Sequence, residues 1–66
     1  MITITGNKIK KLRVEKVKLT QNELADKAGL HRHTIREIEN GIQTNPSIQT
    51  LKNIAKALGC DLIEII

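Results

Sequence analysis

The sequence has no Phe, Trp or Tyr, a single Cys, and no run of apolar residues longer than two. Without aromatic rings it lacks the platforms on which single-strand nucleic-acid modules stack their bases. A single cysteine excludes a disulfide scaffold and a thiolate zinc site. The apolar runs fall far short of the roughly 20 residues of a membrane span, and the first residues lack the apolar centre of a signal peptide. These absences predict a cytoplasmic protein held together by aliphatic packing.

The length and charge of the chain limit the number of its domains and indicate the class of its binding partner. Its 66 residues allow one small domain, expected to span residues 1–66, and 39% apolar residues are too many for a disordered tail. Residues 1–36 hold nine Lys and Arg against three acids, whereas residues 37–66 hold two Lys against four acids. A domain with one basic half presents a face to a polyanion, although charge alone does not separate nucleic acid from an acidic membrane or from a solvated surface.

Hydrophobic periodicity and capping signals predict an all-α domain of five short helices. The alternating Ile and Thr of residues 1–5 are typical of a strand, so a short extended N-terminal arm is expected there. Gly6-Asn7 ends this arm, and Asn7 caps a first helix that begins at Lys8. Further caps and stops are expected at Thr20 with Glu23, Gly29, His31, Asn40-Gly41, Ser47, Gly59 and Asp61.

The segment from Gln21 to Asn40 carries the pattern of a helix-turn-helix. A small residue, Ala25, stands where two helices would cross closely, and Gly29 occupies the tight turn between them. The positions that would fix the crossing angle are all apolar: Leu24, Ala28, Leu30, Ile35 and Ile38. Each feature alone is common, but their occurrence together and in order strongly indicates this motif.

Three stretches, Thr20–Ala25, Ala28–Leu30 and Thr34–Gly41, resemble the XRE-type, lambda-repressor-like DNA-binding domain. Ile42–Ile48 is especially similar to the same loop in the sporulation-inhibitor type of repressor, and the resemblance covers residues 6–66. It implies a compact five-helix fold and a prokaryotic or phage transcriptional regulator that binds double-stranded DNA.

The resemblance also implies one ion pair and shows one departure from the usual spacing of the family. In the family, an Arg matching Arg13 often pairs with an acid matching Glu39. This chain holds one residue more than is usual within Val14–Lys18.

The second helix of the motif would be the recognition helix, with its N-terminal residues in the major groove. With Ile35 and Ile38 buried, its outward residues are Arg32, His33, Arg36 and, on the flank, Glu37. Arg suits bidentate contact with guanine, although two solvated surface arginines are the alternative. Gln21 opens a helix whose free amides attract phosphate, and the family contacts the DNA backbone with the matching Gln. The candidate DNA-binding residues are Gln21, Arg32, His33, Thr34, Arg36, Asn40, Thr44 and Asn45.

No catalytic set, phosphate-cradling Gly-rich loop or metal site is recognisable, so we expect neither an enzyme nor a bound cofactor. His31 and His33 would point to different sides of a helix, and Cys60 lies far along the chain.

Two functions remain open. The first is a repressor that binds an inverted repeat as a homodimer, because one recognition helix reads too few base pairs to find a site in a genome. The alternative is an antitoxin-like module whose partner is a protein, such as a toxin or an anti-repressor. The dimer contact is expected at the C-terminal Leu62, Ile63, Ile65 and Ile66 or, as a second choice, at a strand containing Ile2 and Ile4, unless Leu62 and Ile65 close the core.

Overall fold

The computed structural model describes residues 3–43 and 45–66. Within them lie four α-helices and no strand: α1 (Thr3–Lys11), α2 (Gln21–Ala28), α3 (Arg32–Glu39) and α4 (Ile48–Leu58). The prediction of an all-α domain is therefore confirmed, but the count of five helices is one too high. The last predicted helix is only a 3₁₀ turn, Leu62–Glu64. None of the helices in the described residues is long and apolar enough to cross a membrane.

Helix α1 differs most from the prediction. Thr3, Ile4 and Thr5 form its first turn rather than an extended arm, and Gly6-Asn7 lies inside it rather than ahead of it. A Cβ atom at Gly6 would collide with the carbonyl oxygen of Ile38 and lie 3.2 Å from Glu39 Cα. Glycine therefore stands here because two backbones approach closely, and not because the chain turns. The prediction of a strand over this segment, and of a dimer that pairs through it, is therefore wrong for Thr3, Ile4 and Thr5, which are helical. Met1 and Ile2 lie outside the described residues.

A π-helical stretch, Leu12–Lys16, follows α1 and lies where the resemblance indicates one residue more than is usual. Its hydrogen bonds reach five residues back, as when the Val17 N–H donates to the Leu12 carbonyl oxygen at 3.1 Å. A π turn holds more residues than an α turn, so it is compatible with one additional residue in an unbroken helix. The chain then leaves through Lys18, which has a left-handed backbone with φ 54°.

The helix-turn-helix is built as the sequence predicts. Thr20 and Glu23 form the expected capping box at the start of α2, and Gly29 ends the helix with φ 71°. The next residue turns back, so that the Leu30 N–H donates to the Ala25 carbonyl oxygen at 2.8 Å. His31 is the N-cap of α3, although its side chain makes no capping hydrogen bond.

One aliphatic core joins the four helices. Ile9 of α1, Leu24 of α2, Ile35 of α3 and Ile54 of α4 are each fully buried. The remaining buried apolar residues are Ala25, Ala28, Ile38, Leu51, Ala55, Leu58 and Ile65. The C-terminal residues thus divide between two roles. Ile65 is fully buried and Leu62 packs against the core, whereas Ile63 is 75% exposed and Ile66 is 52% exposed.

Candidate nucleic-acid interface

Helix α3 presents a polar, mainly cationic surface opposite its buried side. Ile35 and Ile38 are buried, and the side chains of Arg32, His33 and Arg36 are exposed. This is the arrangement that the sequence predicts, because residues three and four apart share one side of a helix. The exposed side chains are therefore free to meet a ligand along the length of α3.

Two further predicted residues lie at the ends of this surface. Thr34 is half-buried, and its backbone N–H already donates to the His31 carbonyl oxygen at 3.0 Å. Asn40 is exposed at the C-cap of α3, where its backbone N–H donates to the Arg36 carbonyl oxygen at 2.9 Å. Each residue can therefore offer its side chain to a ligand, but not its amide.

A buried ion pair ties this surface to the preceding elements. Arg13 donates from Nε to Glu39 Oε2 at 2.7 Å and from Nη2 to Glu39 Oε1 at 2.9 Å. A third guanidinium hydrogen bond runs from Arg13 Nη1 to the Leu19 carbonyl oxygen at 2.9 Å. The pairing that the resemblance implies is thus present, and Arg13 makes it from within the π-helical stretch.

Gln21 joins the start of α2 to the same carboxylate. Its Nε2 donates to Glu39 Oε1 at 3.1 Å, which leaves the second Nε2 hydrogen for a ligand. The capping box occupies the amides of Thr20 and Glu23, while those of Gln21 and Asn22 lie in the first turn, where no intrahelical acceptor exists. The start of α2 therefore offers backbone and side-chain donors to an anion at one place.

The loop after α3 is fastened to Glu37. The carbonyl oxygen of Glu37 accepts hydrogen bonds from the amides of Ile42 at 2.9 Å and Gln43 at 3.0 Å. Gln43 Oε1 in turn accepts from the Asn45 amide at 3.0 Å. This amide is thus already bonded, so Asn45, a predicted DNA-binding residue, can offer its exposed side chain to a ligand. Thr44, the other predicted loop residue, lies outside the described residues.

Sequence reasoning left two residues of this region out of the candidate set. Glu37 Oε2 lies 3.1 Å from His33 Nε2, one helical turn away. The i, i+4 spacing of His and Glu is a signal that could have identified the pair. No local pattern indicates the role of Gln43, because its partner is a backbone amide in an irregular loop.

The remaining chemistry of the chain is sparse. In residues 3–43 and 45–66 there is no group of three or more His, Cys, Asp or Glu residues that could hold a metal ion. Burial raises the pKa of the half-buried Cys60 thiol, Glu64 and Asp61 raise it further, and Lys16 opposes them. A raised pKa makes this thiol a poorer nucleophile at neutral pH.

Comparison with known proteins adds a family match. A helix-turn-helix family model matches residues 9–65. The chain is 44% identical over 61 residues to the immunity repressor of Bacillus phage phi105, covering 92% of this chain but only 41% of that protein. It is 43% identical over 60 residues to the control protein C.MunI of Mycoplasma sp, covering 91% of this chain and 80% of that one. Its fold is also similar to the crystal structure of SinR, a master regulator for biofilm formation, in complex with DNA, with a TM-score of 0.85. The two sequences are 38% identical, and the match covers 92% of this chain and 98% of that one.

Proposed function

Because the chain belongs to the XRE-type helix-turn-helix family of DNA-binding transcriptional regulators, we propose that it is a sequence-specific repressor that binds an inverted-repeat operator as a homodimer. The observation that carries this proposal is the exposed surface of α3 with Arg32, His33 and Arg36. The Glu39 carboxylate bonds the C-terminal end of this helix to Gln21 at the start of α2. One rigid unit therefore offers side chains for base edges and donors for phosphate.

In this proposal α3 enters the major groove, and its N-terminal residues approach the base edges. Arg32 and Arg36 contact guanine or phosphate, since Arg is the side chain best matched to the two acceptors of guanine. The start of α2 crosses the DNA backbone, where Gln21 and the free amides bind one phosphate. Thr34, Asn40 and Asn45 lie at the margins and contact the backbone through their side chains, and Thr44 is a further proposed DNA-binding residue.

A dimer supplies the sequence information that one helix lacks. A single recognition helix reads only a few base pairs, and two copies related by a two-fold axis double that number. Bound to an inverted repeat in a promoter, such a dimer represses by covering the DNA. The exposed Ile63 and Ile66 at the C-terminal end support a contact between two copies.

The experiment that tests this function is a fluorescence titration of a labelled duplex at several salt concentrations, after selection of preferred sites from a random duplex pool. With about 4–6 phosphates neutralised, the plot of log K against log salt should have a slope of roughly −4 to −5. A slope near zero, or the absence of duplex binding, would contradict the proposal and favour the antitoxin-like alternative with a protein partner.

A further inference from the structure

The exposed surface of α3 contains one feature that DNA affinity alone does not explain. Glu37 is the acid that α3 exposes to solvent, because the side chain of Glu39, the other acid of this helix, is only 1% exposed. A carboxylate on a surface that faces phosphates weakens binding to any DNA through like-charge repulsion. In the proposed function, Glu37 must therefore contribute something other than affinity.

The partner of Glu37 indicates what this contribution is. Its Oε2 lies 3.1 Å from Nε2 of His33, whose side chain is 67% exposed. A neutral imidazole carries its proton on one ring nitrogen and accepts at the other, and a neighbouring group decides which. Of the two neutral tautomers, a carboxylate at this distance favours the one with the proton on Nε2, because it would repel a lone pair there. The acceptor is then Nδ1, which has no hydrogen-bond partner in the described part of the chain.

An acceptor complements the other side chains of the surface. Arg32 and Arg36 carry only donors, so at base edges they can read only acceptors, such as guanine O6 and N7. In the major groove, hydrogen-bond donors are presented by the exocyclic amino groups of adenine N6 and cytosine N4. A ring nitrogen held as an acceptor selects these amino groups and rejects the acceptor edges of guanine and thymine.

We infer that Glu37 is a positioning residue for sequence readout: it holds His33 with Nδ1 as the acceptor, and the pair selects adenine or cytosine at one position of each half-site. This inference rests on the proposed function and deepens it. The pair lowers affinity for DNA in general and raises the ratio of specific to random binding.

A purely structural role of the pair has a different signature. An i, i+4 pair on a helix surface stabilises the helix by a small amount and has no effect on the choice of base. The discriminating measurement is therefore base preference and not stability. The His33 side chain is 67% exposed, the Glu37 side chain is 33% exposed, and neither belongs to the buried core, so substitutions at them leave the core and the fold intact.

The test is selection from a random duplex pool with the unmodified protein, Glu37→Gln, His33→Ala and the double variant. Asp26→Asn is the matched control, because it removes one exposed negative charge from α2 instead of α3. We expect one position of the wild-type half-site to favour adenine or cytosine by about tenfold, the lower end of what a good base contact supplies. Glu37→Gln and His33→Ala should each abolish that preference and leave the other positions unchanged, and the double variant should lose no more than either single one.

Affinity for random duplex supplies a second readout. Glu37→Gln should bind random DNA more tightly than the wild type while its specific-to-random ratio falls, and Asp26→Asn should leave the ratio unchanged. If Glu37→Gln keeps the wild-type preference, or only one of the two single variants loses it, the inference is overturned while the proposed function stands. If no variant binds duplex DNA at all, the proposed function fails and the inference fails with it.

Discussion

At the scale of single residues, Glu39 holds the candidate interface together. Its two carboxylate oxygens accept hydrogen bonds from Arg13 Nε, Arg13 Nη2 and Gln21 Nε2. A buried charge is costly unless it is paired and its oxygens are hydrogen-bonded, and here both conditions are met. The same carboxylate fixes where the first side chain of α2 stands relative to α3.

Removing one partner of this pair should destabilise the domain strongly. Arg13→Ala or Glu39→Ala leaves an uncompensated buried charge, so the free energy of unfolding should fall by about 3–5 kcal/mol. Urea denaturation followed by circular dichroism measures the change. Glu15→Ala, at an exposed acid of the π-helical stretch, is the control and should change the free energy by less than about 0.5 kcal/mol. A loss below about 1 kcal/mol at Glu39 would show that the pair does not hold the fold.

The candidate contacts should separate into two kinds. Arg32→Ala or Arg36→Ala should cost about 1–3 kcal/mol on the best site and much less on random duplex, because contacts with base edges carry the sequence information. Gln21→Ala should weaken both kinds of binding alike, because a phosphate contact carries none. Titration of the selected site and of random duplex with each variant measures the difference. The opposite result, with Gln21 changing the site preference and the arginines not, would mean that the two helices are oriented differently on DNA.

At the scale of elements, the sequence predicts what local chemistry determines. The capping box of Thr20 and Glu23, the stop at Gly29 and the cap at Ser47 depend on neighbours within a few residues, and all three are present. The start of α1 depends instead on contact with the distant end of α3, so local pattern alone predicts a turn at Gly6. The π-helical stretch after α1 has no local signal in the sequence.

The candidate site likewise contains features that local pattern predicts and features that it does not. The helical period correctly predicts that Arg32, His33 and Arg36 are exposed. The hydrogen bond from the Asn45 amide to Gln43 could not be predicted, because irregular loops have no period. The spacing of His33 and Glu37 is visible in the sequence, but it does not by itself mark an acid as part of a cationic surface.

Gly6→Ala tests the close approach of α1 and α3. Alanine is the better helix former, so local propensity alone predicts a gain of about 0.5–1 kcal/mol. The new Cβ atom would instead meet backbone atoms of Ile38 and Glu39, which cannot rotate away. We expect a net loss of about 1–3 kcal/mol, measured by thermal unfolding. Asn7→Ala, at the exposed neighbouring position, should be neutral or slightly stabilising, and a higher melting temperature for Gly6→Ala would contradict the close contact.

At the scale of the whole molecule, the C-terminal residues connect the core to the surface. Ile65, which follows the 3₁₀ turn, is fully buried, whereas Ile63 and Ile66 are exposed. The core therefore contains only part of the apolar C-terminal cluster. Lys8 Nζ donates to the Ile66 carbonyl oxygen at 2.9 Å, which brings the end of the described chain against α1. Ile63 and Ile66 remain exposed and are the residues of this cluster that are available for a second copy.

We expect two chains to bind one palindromic duplex through a contact that includes Ile63. Related by a two-fold axis, their recognition helices would lie about 34 Å apart, so the half-site centres should be about 10 base pairs apart. Sedimentation of the protein with duplexes of one or two half-sites measures the number of bound chains and the gain from the second half-site. Ile63→Ser should reduce that gain without changing affinity for one half-site, because the residue stands outside the candidate interface. Val14→Ser, at a 49% exposed apolar residue of the π-helical stretch, is the matched control and should leave the gain unchanged. A single chain bound at saturation, with no gain from the second half-site, would exclude the dimer.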